Sequence, residues 1–467
     1  MKISLPETEK ELKQFISNIE KMILNKVFTC AGEIYTELLE CIDDLIEQFR
    51  PRSLQVVHRR QVWYRTMLGT IRVNRRQYRD EKGYYRYLLD ELLGMGKYEH
   101  TSFGVKETAL ELADNMTFRQ SADILRKISP VDLSHQTIHR LLKRTADGSQ
   151  AKDDSALHWF MQTGELPSSE GKKVERLIME ADGVMLPLQR EKARRAEVKL
   201  GIAYEGWEKV GKDRYRTLNK TVHADTADKD TFWAGMTLKL QRKYDLGGDR
   251  QIVMGGDGAA WIKDGADLFH ARYQLCRYHF NRELCIALGH DRQKLNELAG
   301  FCQREEFDNA LAMLKEAAEK SGPKTGQRIS KAINYMISNL DGLGDYRNQA
   351  ERRSGELRRT GAIEGNIDKL IVRRMKNRGM SWTYQGIRRM LWLRINKREG
   401  TLYKCLQSSL KETMLEVIPE KRINRVIDRN LKRDYTTYFA AGLPALSGPH
   451  ASRPWVEMLK SLTGLAL

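Results

Sequence analysis

Three acidic residues stand where a folded chain pays to keep them. Asp182 interrupts a run whose apolar residues Val174, Leu177, Ile178, Met179, Val184 and Met185 fall on both parities. That pattern fits a central strand covered on both faces, and a carboxylate at its end costs several kcal/mol unless a positive group compensates it. Asp257 follows a second apolar run, Ile252-Val253-Met254, and is flanked by Gly256 and Gly258, which let backbone or ligand approach closely. Glu364 lies beside the stripe Ile363, Ile367, Leu370 and Ile371 of an expected helix. Three carboxylates on two strand ends and one helix suit two divalent cations, and hard oxygen ligands select Mg2+ or Mn2+ over zinc. Such a pair activates a water or hydroxyl nucleophile and stabilises the leaving oxygen in an in-line displacement at phosphorus. Two rivals stay open at this point. Glu180 shares a strand face with Asp182, because side chains repeat every two residues, and Asp368 lies one turn beyond Glu364.

The charge balance supports a polyanionic partner. The 467-residue chain has a net charge of +18, and nucleic acid is the commonest partner for such a surface. Between Arg352 and Arg398 there are 14 Lys or Arg against three acids. Arginine dominates there, which favours forked contacts to phosphate. No apolar run is long enough to cross a membrane, and the residues after Met1 lack the apolar core of a signal peptide. Six cysteines form no CxxC pair, so reduced thiols in a cytoplasmic protein are expected.

Several elements must position these residues. Residues 1–100 read as a helical region, with a basic β-hairpin at 54–93 that interleaves arginines with Trp63, Tyr64 and Tyr78. Residues 101–150 read as three short helices in a helix-turn-helix pattern, the second opened by a Thr117/Gln120 capping box. The third would present Gln136, Thr137, His139, Arg140 and Lys143 to DNA. A polar linker is expected over 151–172. Strands are expected near 174–185, 198–204, 215–222, 251–254 and 273–276, with helices at 226–244 and 259–269. This β-β-β-α-β-α-β order is that of an α/β ribonuclease H-like core, whose first and fourth strands lie side by side. Asp182 and Asp257, 75 residues apart, would then be neighbours. The core is expected over 172–280 and again over 351–400, around a helical insertion at 281–350. A basic tail follows at 401–467.

The blocks Glu180-Ala181-Asp182-Gly183-Val184, Gly256-Asp257-Gly258-Ala259-Ala260-Trp261-Ile262 and Glu364 to Trp382 resemble the ISLre-type family of bacterial insertion-sequence transposases. The resemblance covers essentially the whole chain. It implies a DDE transposase that cleaves and joins DNA with two Mg2+ or Mn2+ ions held by Asp182, Asp257 and Glu364. It favours Asp182 over Glu180. Cys276-x-x-His279 resembles a short (C/D)xxH motif of Mutator-like transposases, and the 107-residue gap from Asp257 to Glu364 fits their helical insertions. His279, Arg373, Arg374, Lys376 and Arg378 would then face the DNA backbone. The implied partners are transposon ends and target DNA, bound by a homodimer or higher oligomer in the bacterial nucleoid. The alternative is a sequence-specific DNA-binding protein descended from such an enzyme, with catalysis lost.

Overall fold

A computed structural model describes residues 8–96, 100–168, 171–246, 250–289, 291–349, 357–377 and 379–407. The expected basic tail beyond residue 407 lies outside the described residues. The chain divides into two compact units, one from residues 1–141 and 403–467 and the other from residues 142–402.

In the first unit the helix Glu9–Gln48 is unbroken over 40 residues. Its C-terminal half buries Leu39 and Ile46 against Tyr64, Val73, Tyr78, Leu88 and Leu89. The hairpin Gln55–Thr66 and Gly69–Arg79 forms as expected, closing at Thr66 and Gly69. Two of its arginines serve the fold. Arg75 is buried with a two-pronged contact to Asp90, and Arg76 binds Asp43 on the long helix. The helices Phe103–Asn115 and Phe118–Ile128 follow, and the Thr117/Gln120 capping box is formed in both directions.

The third helix departs from expectation, running from His135 to Thr163 through the stretch read as the start of a linker. Its polar residues are ordinary helix formers, and it ends only at Gly164, whose φ of +72° suits glycine.

The second unit is built on a five-stranded mixed sheet. From edge to edge its strands are Arg272–Leu275, Gln251–Gly256, Arg176–Pro187, Arg195–Tyr204 and Thr221–Asp225. The Arg195–Tyr204 strand is antiparallel to both neighbours, and the remaining pairings are parallel. The single strand expected over 215–222 is instead divided: a small hairpin, Trp207–Gly211 and Arg214–Thr217, precedes the edge strand. Asn219, at φ +50°, turns the chain between them.

Strand parity sorts the central strand between two faces. Leu177, Met179 and Ala181 face a core shared with Phe232, Trp233, Met236, Ile262 and the helices expected as an insertion. Those helices are Arg277–Leu288, Arg292–Gln303, Phe307–Glu319 and Pro323–Ile337. Glu180 turns the other way, towards the helix Ala362–Ile367, which continues as a π-helix over Asp368–Lys376. The helix Tyr384–Glu399 adds Ile387, Met390, Leu391 and Leu393 to the buried residues of this unit. No described helix is long and apolar enough to cross a membrane.

Candidate active site

The sheet register brings the two aspartates level. Glu180 pairs with Gly255 across the parallel strands, so two residues further on Asp182 stands opposite Asp257. Asp182 is not at a strand end, as the sequence suggested. Its strand continues to Pro187 against the Arg195–Tyr204 strand, and only the neighbour on Asp257's side stops there. This leaves Asp182 half-buried at an open notch of the sheet.

Each aspartate is tied by a local backbone bond. Asp182 Oδ1 accepts the Gly183 N–H at 2.7 Å. Asp257 Oδ1 accepts the Ala259 N–H at 3.0 Å, while its own carbonyl accepts the Tyr335 hydroxyl at 2.6 Å. Gly258, at φ +96°, makes the turn between strand and helix, and a Cβ there would meet the Asn339 amide at 2.8 Å.

Glu364 stands in the first turn of the helix Ala362–Ile367. That turn is anchored by Glu180, which is only 2% exposed. The Glu180 carboxylate accepts the backbone N–H groups of Gly361 (2.8 Å), Ala362 (3.2 Å) and Ile363 (3.1 Å), and the Tyr204 hydroxyl donates to it as well. Burial raises the Glu180 pKa, and these four donors oppose the rise by stabilising the anion. Glu180 is thereby spent on holding the helix. Strand parity gave its shared face with Asp182; its partner, 183 residues away, was not readable.

The acids feel one another. Burial pushes the Asp182 carboxyl up to about 6; the Gly183 N–H opposes the rise, the negative charge of Asp257 adds to it, His279 lowers it and Glu364 raises it further. Asp182 therefore lies within electrostatic reach of Asp257, Glu364 and His279, while among the described residues the acids, histidines and cysteines whose ligand atoms fall within 4.8 Å of one another are Cys276, His279 and Glu364. Asp368, the rival third acid, is engaged by Arg373 at 2.7 Å. Glu364 Oε1 accepts the Cys276 thiol at 2.7 Å and lies 3.9 Å from His279 Nδ1. Glu364 Oε2 and His279 Nδ1 are buried without a hydrogen bond. Burial and then Glu364 push the Cys276 thiol up to about 12. Asp257 and Glu364 both act on Asp182 as negative charges, and Glu364 keeps one buried oxygen without a hydrogen bond, so these carboxylates offer hard oxygen donors of the kind a divalent cation takes.

The expected DNA-facing residues fare unevenly. Gln136, Arg140 and Lys143 are exposed on the helix His135–Thr163, and Thr137 is half-buried, its N–H bound by Ser134 Oγ. Arg373 and Lys376 are exposed. Arg374 corrects the sequence reading. It is 4% exposed, with its guanidinium 5.5 Å from the Trp382 ring centroid and contacting Met380 Sδ, so it packs inside the unit. Arg378 lies outside the described residues.

Comparison with known proteins adds a family. Residues 10–412 match the Uncharacterised protein family (UPF0236). A UPF0236 protein of Caldanaerobacter subterraneus subsp. tengcongensis is 26% identical over 371 residues, covering 78% of this chain and 73% of the relative. A second from that organism, whose name joins eleven locus designations, is 25% identical over 380 residues, 79% of this chain and 74% of its own. A Streptococcus gallolyticus relative, "UPF0236 protein in vanSb 3'region", is 25% identical over 407 residues, 84% of each chain. On the extent of these matches, the chain belongs to the UPF0236 family.

Proposed function

We propose that this chain is a DDE transposase of the ISLre type, cutting the ends of an insertion sequence and joining them to target DNA. The register that sets Asp182 beside Asp257, with Glu364 within electrostatic reach of Asp182, carries the reading. In chain order the strands lie third, second, first, fourth, fifth, with only the second antiparallel, which supports a ribonuclease H-like core. A relative whose name joins eleven locus designations is what a self-propagating element would leave in a genome.

Asp182, Asp257 and Glu364 would hold two Mg2+ or Mn2+ ions, which activate the attacking oxygen and stabilise the leaving one. The chain's own residues do the positioning. Asp182 and Asp257 are fixed by their backbone bonds, and Glu364 by the Glu180 anchor. Exposed Arg373 and Lys376, on the same helical segment as Glu364, bind the phosphodiester backbone. Gln136, Thr137, Arg140 and Lys143 engage the element's end. Because two ends must be joined, the working form on DNA is a dimer or larger, bound to the bacterial nucleoid.

The test is cleavage of DNA carrying the element's ends in Mg2+ or Mn2+, comparing the wild type with Asp182→Asn, Asp257→Asn and Glu364→Gln. Each substitution keeps shape and removes a charged ligand, so all three are expected to abolish cutting while DNA binding survives. A wild type that binds ends and never cuts would leave a DNA-binding protein without catalysis. An active Glu364→Gln would move the third ligand to Asp368.

A further inference from the structure

The carboxylate triad does not account for the two side chains that crowd Glu364. Cys276 caps the helix Arg277–Leu288, and His279 lies in its first turn, so both can reach one point beside that helix. Glu364 comes to the same point from a separate helix. One ligand atom from each of Cys276, His279 and Glu364 lies within 4.8 Å of the others. Ligand bonds of about 2.0–2.3 Å in a tetrahedral site set donor atoms roughly 3.3–3.8 Å apart, so small side-chain shifts would close a cage. The Glu364 oxygen nearest the other two is Oε1, 2.7 Å from Cys276 Sγ and 3.9 Å from His279 Nδ1, and His279 Nδ1 is buried without a hydrogen bond.

The donor chemistry differs from that of the triad. A thiolate, an imidazole and one carboxylate suit a borderline-soft ion of the zinc type and disfavour Mg2+. Three protein ligands also leave the fourth tetrahedral position open.

We infer that Cys276, His279 and Glu364 form a site for one Zn2+-class ion, and that filling it withdraws Glu364 from the Asp182–Asp257 pair. On binding, the Cys276 S–H bond breaks, its proton leaves to solvent, and sulfur bonds to the ion in place of its hydrogen bond to Glu364. Zinc would thus act as an inhibitor that uses the triad's own glutamate. The site itself is independent of the transposase reading; the inhibition rests on it.

The experiment titrates the full-length, metal-free protein with Co2+ as the spectroscopic substitute for zinc. One equivalent is expected to produce a near-ultraviolet thiolate-to-cobalt absorption that Zn2+ abolishes and excess Mg2+ does not. Cys276→Ser should lose that absorption, and His279→Gln should weaken Co2+ binding at least tenfold. No thiolate absorption in the saturated wild type, or an unchanged one in Cys276→Ser, overturns the site. Electron paramagnetic resonance of bound Mn2+ tests the competition. One equivalent of Zn2+ should displace Mn2+ from the wild type and not from Cys276→Ser, and Mn2+ retained by zinc-loaded wild type overturns it. Failure of DNA cleavage leaves the cobalt result standing, so the two readings fail separately.

Discussion

Glu180 and Ile363 stand 183 residues apart in the chain, yet the carboxylate of one accepts the backbone N–H of the other at 3.1 Å. The N–H groups of Gly361 and Ala362 converge on the same carboxylate. Groups at a helix start have no partner within the helix, and a negative charge there is favourable. Glu364 follows Ile363 directly, so its place at the notch depends on this clamp. Glu180→Gln keeps the shape but turns an amide NH2 towards donors. It is expected to reduce both Mn2+ affinity and end cleavage by about ten- to a hundredfold, as loss of a ligand's supporting partner does. Glu180→Ala leaves several buried donors unpaired and should cost about 3 kcal/mol in urea unfolding. A Gln variant with wild-type Mn2+ affinity and cleavage would reduce Glu180 to a stability role.

The raised pKa of Asp182 sets a pH dependence with a definite sign. Its carboxyl lies near 6 in the folded, metal-free chain against an ordinary value of 3.8. Between those values the folded state holds a proton that the unfolded state has released, so this group favours folding at low pH and loses that contribution as pH rises through about 6. The proposed metal binding would have the opposite dependence, because the ion needs the carboxylate. Mn2+ affinity should fall below about pH 6 and level off above it, and Asp182→Asn should flatten that profile. Calorimetric titrations from pH 5 to 8 decide it; an identical pH slope in the variant would assign the proton elsewhere.

The two aspartates were legible because one interrupts an apolar strand and the other directly follows one, and glycines at Gly256 and Gly258 marked the second as a close approach. Their juxtaposition followed from strand order alone. The third side of the site was not legible in the same way. Glu364 sits on a six-residue helix whose position depends on Glu180 and Tyr204, and no periodicity announces a bond across 183 residues. Charge runs misled for a related reason. Arg374 belongs to a basic segment, but one side of a packed helix must face inward, and Trp382 offered its ring to the guanidinium. Composition misled over 151–163, where polar residues suggested a linker although no residue breaks the helix before Gly164.

Packing behind Asp257 gives a prediction that is independent of metal. Gly265 lies on the helix Ala260–Leu268, just after that aspartate, and an added Cβ would come within 2.2 Å of Trp233 Cζ2. Trp233 cannot retreat freely, since its indole N–H donates to the Trp261 carbonyl at 2.7 Å. Gly265→Ala is therefore expected to destabilise the protein by about 1–3 kcal/mol, the ordinary cost of overpacking a core. A lower urea midpoint at unchanged m-value would report it. Wild-type stability would mean that the helix can slide outward without cost.

The DNA binding proposed for the helix His135–Thr163 would be separable into phosphate and base contacts by salt. Arg140 and Lys143 are exposed cations, whereas Gln136 is an exposed amide able to pair with a base edge. Neutralising a phosphate contact removes one released counterion, so Arg140→Ala and Lys143→Ala should each lower the slope of log affinity against log salt by about one. They should weaken specific and unrelated duplexes alike. Gln136→Ala should leave that slope unchanged and narrow the preference for the element's ends over unrelated DNA. Fluorescence anisotropy across a salt series, with both duplexes, measures all of this. If neither cation changes the slope and Gln136→Ala leaves the preference intact, this helix does not carry the end recognition, and the exposed arginines of the hairpin become the place to look.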